Sequence, residues 1–325
     1  MNSCNTEAQN TTKVIYLQNE QIKIGILPDV GGRLVYLSSI NGENMLLSDA
    51  KLWDEPSVER ITPSFESEWK GYNGFITWLG PQSEWWIHQD QNKNLKETAS
   101  LWPPDPFLIY GDFKVINQSN SSIKIEGPES PVTGVKLIKE FSISGNKVEI
   151  NVEAINIRDE EVSWELWSNI RVDGWTPFFV PTVSEEDCRM NVNTNPRIDN
   201  MKYAIENDYF TFIAEKPSEG KNQRMAKSFL FPEKGHIVAL SKGNMLLIEF
   251  DALEKNQIHE EQALVEIYNT ISNDGSGDLT ELEHHGEYRT IKPGKTISLQ
   301  ESWTVVEMGN DATINDCKKY YKENY

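Results

Sequence analysis

The chain reads as an all-β protein in which two large antiparallel sheets stack face to face, with long structured loops and one short C-terminal helix. Three observations predict this. Apolar and polar residues alternate with period 2 in one short segment after another, as half-buried strands require. Turn residues punctuate those segments. So many strands fill two stacked sheets more readily than one small barrel.

In chain order, residues 1–12 are polar and read as a flexible tail. Residues 13–325 read as one domain, because no Pro-, Gly- or Ser-rich linker divides them. Strands are expected at 13–18, 21–27, 32–38, 109–117, 121–126 and 133–142. In the next one, Val148, Ile150, Val152 and Ala154 alternate with Lys147, Glu149, Asn151 and Glu153 behind the turn Ser144-Gly145-Asn146. Further strands are expected at 161–170, 209–214, 235–242, 244–251, 263–270, 278–285 and 296–306, with hairpin turns at Asn41-Gly42 and Lys242-Gly243-Asn244. Residues 48–106 break the rhythm. They hold Trp53, Trp69, Trp78, Trp85, Trp86 and Trp102 and read as long loops outside the sheets, where sites commonly lie. At the C-terminus Asn310 or Asp311 is expected to cap a helix with Ile314, Cys317 and Tyr321 on one face.

The formal charge of −19, with no Lys/Arg-dense stripe, argues against nucleic acid and anionic membrane surfaces as partners. A neutral or cationic ligand fits better. Ten Trp and eleven Tyr beside many carboxylates suit a carbohydrate, since aromatic faces stack on a pyranose and carboxylates accept its hydroxyls. Cys4, Cys188 and Cys317 form neither a disulfide framework nor a metal motif, and no metal or other cofactor is expected. No apolar run approaches the ~18 to 20 residues of a membrane span. Cys4 followed by a polar segment is what a trimmed bacterial lipoprotein signal leaves. The expectation is a periplasmic or outer-membrane-tethered protein with a lipid on Cys4, the alternative being cytoplasmic.

The chemistry concentrates late in the chain. On a strand, Leu279, Glu281, Glu283 and His285 share one face while Thr280, Leu282 and His284 share the other. Two carboxylates and an imidazole pointing one way can form an acid/base or sugar-binding group, although an ordinary solvent-facing strand has the same pattern. Two Glu and one His lack the spacing of a metal site. Glu301 lies on the apolar parity of Ile297, Leu299, Trp303 and Val305, so it needs a partner. His88 has a ring suited to proton transfer near neutral pH. Arg33, after Gly31-Gly32, offers a fork of donors to sugar hydroxyls or to an internal Glu283 or Glu301. Trp78 and Trp86 are candidate stacking platforms or loop packing. No Ser-His-Asp order, phosphate loop or dinucleotide fingerprint is present.

The segment 26–37, with Pro28 and Gly31-Gly32-Arg33, followed by Asn41-Gly42-Glu43, resembles the N-terminal hairpin of the galactose mutarotase-like superfamily. Strand 263–270, Glu281-Leu282-Glu283, the Pro293-Gly294 turn and a last strand with Trp303 look like its closing strands. Segments 131–143 and 164–167 fit its central strands, so the resemblance spans about residues 13–307. It implies a β-supersandwich. In aldose 1-epimerases of that superfamily a late-strand glutamate takes the anomeric proton, a central histidine protonates the ring oxygen and an early arginine holds the sugar. The resemblance carries the base to Glu283, with Glu281 the fallback, and the arginine to Arg33. Residues 165–172 contain no histidine, which leaves His88 as candidate acid, and Asp173, just beyond, as a cleft residue. Several functions stay open. One is a carbohydrate-binding protein with a cleft formed by one sheet face and the 60–106 loops. Another is an aldose 1-epimerase-like isomerase. A third, an accessory unit of a glycan-degrading system, rests on fold analogy.

Overall fold

In the computed structural model, which describes residues 13–54 and 61–325, the strands gather into an eleven-stranded and a ten-stranded sheet. Cys4 and its expected lipid lie outside the described residues. The first sheet runs β1 (Ile15–Gln18), β2 (Ile22–Leu27), β3 (Arg33–Ser39), β4 (Phe75–Gly80), β9 (Val162–Asp173), β19 (Leu279–His285), β18 (Val265–Ser272), β15 (Gln223–Leu230) and β11 (Cys188–Asn191). Strand β12 (Ile198–Asn200) pairs with β15, and β20 (Arg289–Ile291) with β9. The second sheet runs β13 (Lys202–Glu206), β14 (Tyr209–Ile213), β10 (Phe178–Pro181), β16 (His236–Ser241), β17 (Asn244–Phe250), β21 (Thr296–Glu307), β8 (Lys147–Asn156), β7 (Val135–Ser144), β6 (Ser122–Glu129) and β5 (Lys114–Gln118). Pairing is antiparallel throughout except for β12 with β15.

The alternation that marks β7 and β8 in the sequence is what their burial shows, with every second residue buried against the other sheet. The two sheets meet over Phe75, Phe141, Ile170, Leu282 and Trp303, where the Phe75 ring lies edge-on to Trp303 at 5.4 Å. Lys242-Gly243 closes the β16–β17 hairpin with both residues at positive φ, the shape that a two-residue turn needs. Asn41-Gly42 turns the chain but closes no hairpin, because β3 pairs next with the distant β4.

Strand β4 corrects the reading of 48–106 as loops alone. Phe75–Gly80 is buried on both faces, so it has no alternation for a period-2 reading to catch. The same stretch holds two short helices, α1 (Lys93–Glu97) and α2 (Pro106–Tyr110). The strand expected over 109–117 begins as α2, because the Asp105 carboxylate accepts from the Phe107 N–H at 2.9 Å and Pro106 occupies the first turn. The C-terminal helix, α3 (Ile314–Asn324), buries Cys317 and Tyr321 as expected, but Thr313 rather than Asn310 or Asp311 caps it, donating its N–H to Asp316 at 2.8 Å.

The buried charged groups between the sheets find partners. Glu301, buried on the apolar face of β21, accepts from Trp303 Nε1 at 2.8 Å and Ser168 Oγ at 3.0 Å and faces His284 Nε2 at 3.0 Å. The His284 ring stacks on Phe250 at 4.0 Å. Arg33 is wholly buried and donates to three main-chain carbonyls: Val30 at 3.1 Å, Asn73 at 3.0 Å and Ile109 at 2.8 Å. It thereby joins β3 to the segment before β4 and to α2. Burial pulls its guanidinium down to about 10, still charged at neutral pH. Gly31 permits this junction: its φ is +72, and a Cβ there would sit 2.4 Å from the Ile109 carbonyl oxygen.

Arg33→Met should therefore lower stability by about 3 kcal/mol or more, since three buried acceptors lose their donors. Denaturant unfolding of the variant against the wild type checks this.

Candidate functional site

The outward face of the first sheet is as buried as its inward face at the centre. Along β9, Glu165, Trp167, Asn169 and Arg171 point outward while Leu166, Ser168 and Ile170 point to the core, and all seven are buried. The loops flanking β4 cover this face. Trp78 meets Trp167 edge-on at 5.0 Å, and Trp85 and Trp69 pack on Trp78 at 5.7 and 6.3 Å. Between loops and sheet a cleft of about 400 Å³ remains, lined by Trp69, Trp78, Gln82, Trp102, Trp167, Arg171, Lys227, Tyr268, Leu279, Glu281 and Glu283.

Strand register assembles its polar groups. Glu281 lies opposite Arg171 on β9 and Tyr268 on β18, while Glu283 lies opposite Asn169 and Glu266. Arg171 and Glu281 form a close ion pair. Asn73 Oδ1 accepts from Arg171 Nη1 at 2.8 Å, and the guanidinium lies 4.7 Å from the centre of the Trp69 ring. Asn169 donates to Glu283 at 2.6 Å. Lys227, one strand further out, sets its Nζ 2.6 Å from Glu266 and 3.1 Å from Glu283, over the Trp167 ring.

Burial, reinforced by Glu281 and Glu266, pushes the Glu283 carboxyl well above the usual carboxylate range against the pull of Lys227. Burial alone would lower Lys227, but Glu266, Glu283 and Glu281 hold it above the usual lysine range. Burial and Glu281 raise Tyr268 to about 12. The cleft thus sets a lysine ammonium against a carboxyl whose proton affinity is high, a perturbed pair of the kind found at functional sites.

Trp78, Glu281 and Glu283 line this cleft, and His285 lies just beneath it. Buried under Trp167, with ring centres 4.9 Å apart, His285 sets Nδ1 2.9 Å from Glu165 and Nε2 3.6 Å from Glu266. Four expectations are corrected. Arg33 lies between the sheets with its donors spent on carbonyls rather than on a sugar, Glu283 or Glu301, and Asn73, whose side chain holds Arg171, links it to the cleft. His88 sits at the surface, 3.1 Å from Glu84 and edge-on to Trp164. Trp86 is buried and donates to the Pro103 carbonyl at 2.7 Å, which leaves it no open face. Asp173 is exposed at the end of β9 and accepts from the Trp175 N–H at 2.9 Å.

The sequence reading missed Lys227, Arg171, Tyr268, Trp167, Trp69, Trp102 and Gln82. The parity that selects Glu281 and Glu283 on one strand also selects Arg171 with Trp167 on another, and Lys227 with Phe229 on a third. Pairing those parities requires the register. Among the described residues no group of three or more His, Cys, Asp or Glu is arranged to hold a metal, and no helix is long and apolar enough to cross a membrane.

Beneath the cleft, burial raises Glu165 to about 8 and lowers His285 to about 3, so the two face each other as neutral acid and neutral imidazole. Gly80, opposite Glu165 in register, leaves the room: a Cβ there would lie 2.6 Å from the carboxyl oxygen. Between its ordinary 4.5 and about 8, folded Glu165 keeps a proton that the unfolded chain has released, so its contribution to stability is greatest on the acid side and falls as pH rises through that window. His285 acts oppositely, costing stability as pH falls from 6.5 towards about 3. Glu165→Gln, which copies the protonated shape, should abolish only the first trend. Its melting temperature relative to wild type should climb steadily from about pH 4.5 to about pH 8, and parallel thermal melts across buffers test this.

No curated protein sequence matches the chain. Among solved structures, a putative aldose 1-epimerase from Escherichia coli K12 aligns over 91% of this chain and 99% of its own at 11% identity and a TM-score of 0.53. A galactose mutarotase-like protein from Lactobacillus casei aligns over 90% and 100% at 10% identity and 0.54. A galactose mutarotase related enzyme from Lactobacillus acidophilus aligns over 93% and 100% at 12% identity and 0.51. These likenesses establish the galactose mutarotase-like fold that the N-terminal hairpin and closing strands suggested. The family described as Domain of unknown function (DUF4380) matches residues 12–306, and the chain belongs to it.

Proposed function

We propose that the cleft binds a carbohydrate. The observation that carries this reading is the convergence, in one cleft of about 400 Å³, of Trp69, Trp78, Trp102 and Trp167 with Arg171, Lys227, Tyr268, Glu281 and Glu283. A sugar ring has apolar C–H faces and a girdle of hydroxyls, and it needs aromatic walls beside polar groups that both donate and accept. Trp102 is the exposed platform, whereas Arg171 already occupies Trp69 and Trp78, and Lys227 occupies Trp167. The solved structures with this fold include proteins titled aldose 1-epimerase and galactose mutarotase-like, which supports a sugar ligand.

A second reading, aldose 1-epimerase-like catalysis, is favoured by one observation: Lys227 Nζ lies 3.1 Å from Glu283 at the cleft wall. Glu283 in its base form takes the anomeric hydroxyl proton while the bond from C1 to the ring oxygen breaks, and the Lys227 ammonium, whose proton is held less firmly once Glu283 is neutral, gives a proton to that oxygen. Rotation about the C1–C2 bond, closure on the other carbonyl face and return of both protons complete the exchange. The lysine here fills the role that the absent central histidine leaves open.

One-dimensional NMR of freshly dissolved α-D-glucose and α-D-galactose separates the readings. Line broadening without faster anomer equilibration is the outcome expected of a binding protein. Acceleration that rises with pH, because the raised Glu283 must lose its proton to act, and that falls about 100-fold or more in Glu283→Gln marks an epimerase. Neither effect with these or any other saccharide removes the carbohydrate assignment.

A further inference from the structure

A second cavity shares a wall with the cleft. It encloses about 370 Å³ and is lined by Phe65, Glu66, Glu68, Trp69, Leu95 and Trp102, among others. Trp69 and Trp102 border both spaces, their ring centres 5.1 Å apart and tilted by 56°. Each space has the size of a small-ligand site, and Trp69 and Trp102 form an aromatic ridge between them.

The ridge is built and held. Gln82, a cleft residue, donates to the Leu101 carbonyl at 2.5 Å, and Ser100 Oγ donates to the Trp102 carbonyl at 2.7 Å. Yet Leu101 is 54% and Trp102 44% exposed, in a chain that buries most of its other large apolar side chains. Such a fixed, exposed aromatic lip is what a ligand lying across it would cover. The chemistry of the second cavity narrows the ligand. Its walls are largely aromatic and aliphatic with Ser67 and Asn92 between them, its rim carries the exposed carboxylates of Glu66 and Glu68, and among the described residues no cation lines it. In the cleft both cations are matched by carboxylates. Among the described residues a phosphate or carboxylate on the ligand would meet no unmatched positive charge at either end, whereas hydroxyl donors would find acceptors at both.

We infer that the second cavity is a further sugar subsite, and that the ligand is an uncharged saccharide of at least two units laid across Trp102. This rests on the carbohydrate reading of the cleft and extends it from a single ring to a chain.

Isothermal titration calorimetry with glucose, cellobiose and cellotriose, and with the maltose and β-1,4-galactose series, tests it. In at least one series the trisaccharide is expected to bind about tenfold more tightly than its monosaccharide. Glu66→Ala/Glu68→Ala, two exposed positions outside the cleft, should remove most of that gain and leave the monosaccharide unchanged. Equal affinity along every series, or a gain indifferent to the double variant, overturns the subsite while leaving a one-ring cleft standing. No binding by any saccharide overturns both.

Discussion

A single lysine holds the charged face of this protein together. Glu266 and Glu283 are directly opposed on neighbouring strands, an arrangement that like charges disfavour. Lys227 answers both from the next strand, its ammonium lying over the Trp167 ring. Because side chains alternate along a strand, slipping β15 by one residue would send this lysine to the core and leave two buried carboxylates facing each other. The register of β15, β18, β19 and β9 and the charge balance of the cleft are therefore one constraint.

That constraint explains how two glutamates, two residues apart, acquire different characters. Glu281 stands in a close pair with Arg171, which is itself steadied by Asn73 and stacked on Trp69. Glu283 lies deeper and shares its lysine with Glu266, so burial dominates and its proton is held more firmly. Deeper still, Glu165 and His285 have shed their charges altogether. The gradient from ion pair to neutral pair runs inward from the cleft mouth over three strands.

How much of this the sequence disclosed follows from what is local. Alternation is local, so β7, β8 and β21 were legible, as was the shared face of Glu281, Glu283 and His285. Strands buried on both sides lose that signature: β4 looks like a loop because Phe75, Ile76, Thr77, Trp78 and Leu79 are all buried. Lys227 stayed hidden for another reason. Its meaning comes from facing Glu266 and Glu283, residues far along the chain, and nothing within β15 announces that pairing. Arg33 stood out through its two glycines, and those glycines do mark a constrained junction, but of packing rather than of ligand contact.

Asn73 couples that junction to the cleft. Its φ of +53 is tolerated by few side chains, and it uses its carbonyl to accept from Arg33 in the core and its side chain to accept from Arg171 in the cleft. The interior is thus wired to the cleft through one residue. A substitution that relaxes the core around Arg33 will also loosen the aim of Arg171 and, with it, of Glu281. For this protein, the packing of the core and the arrangement of the cleft's charged groups are not independent traits, and drift in one will be read out in the other.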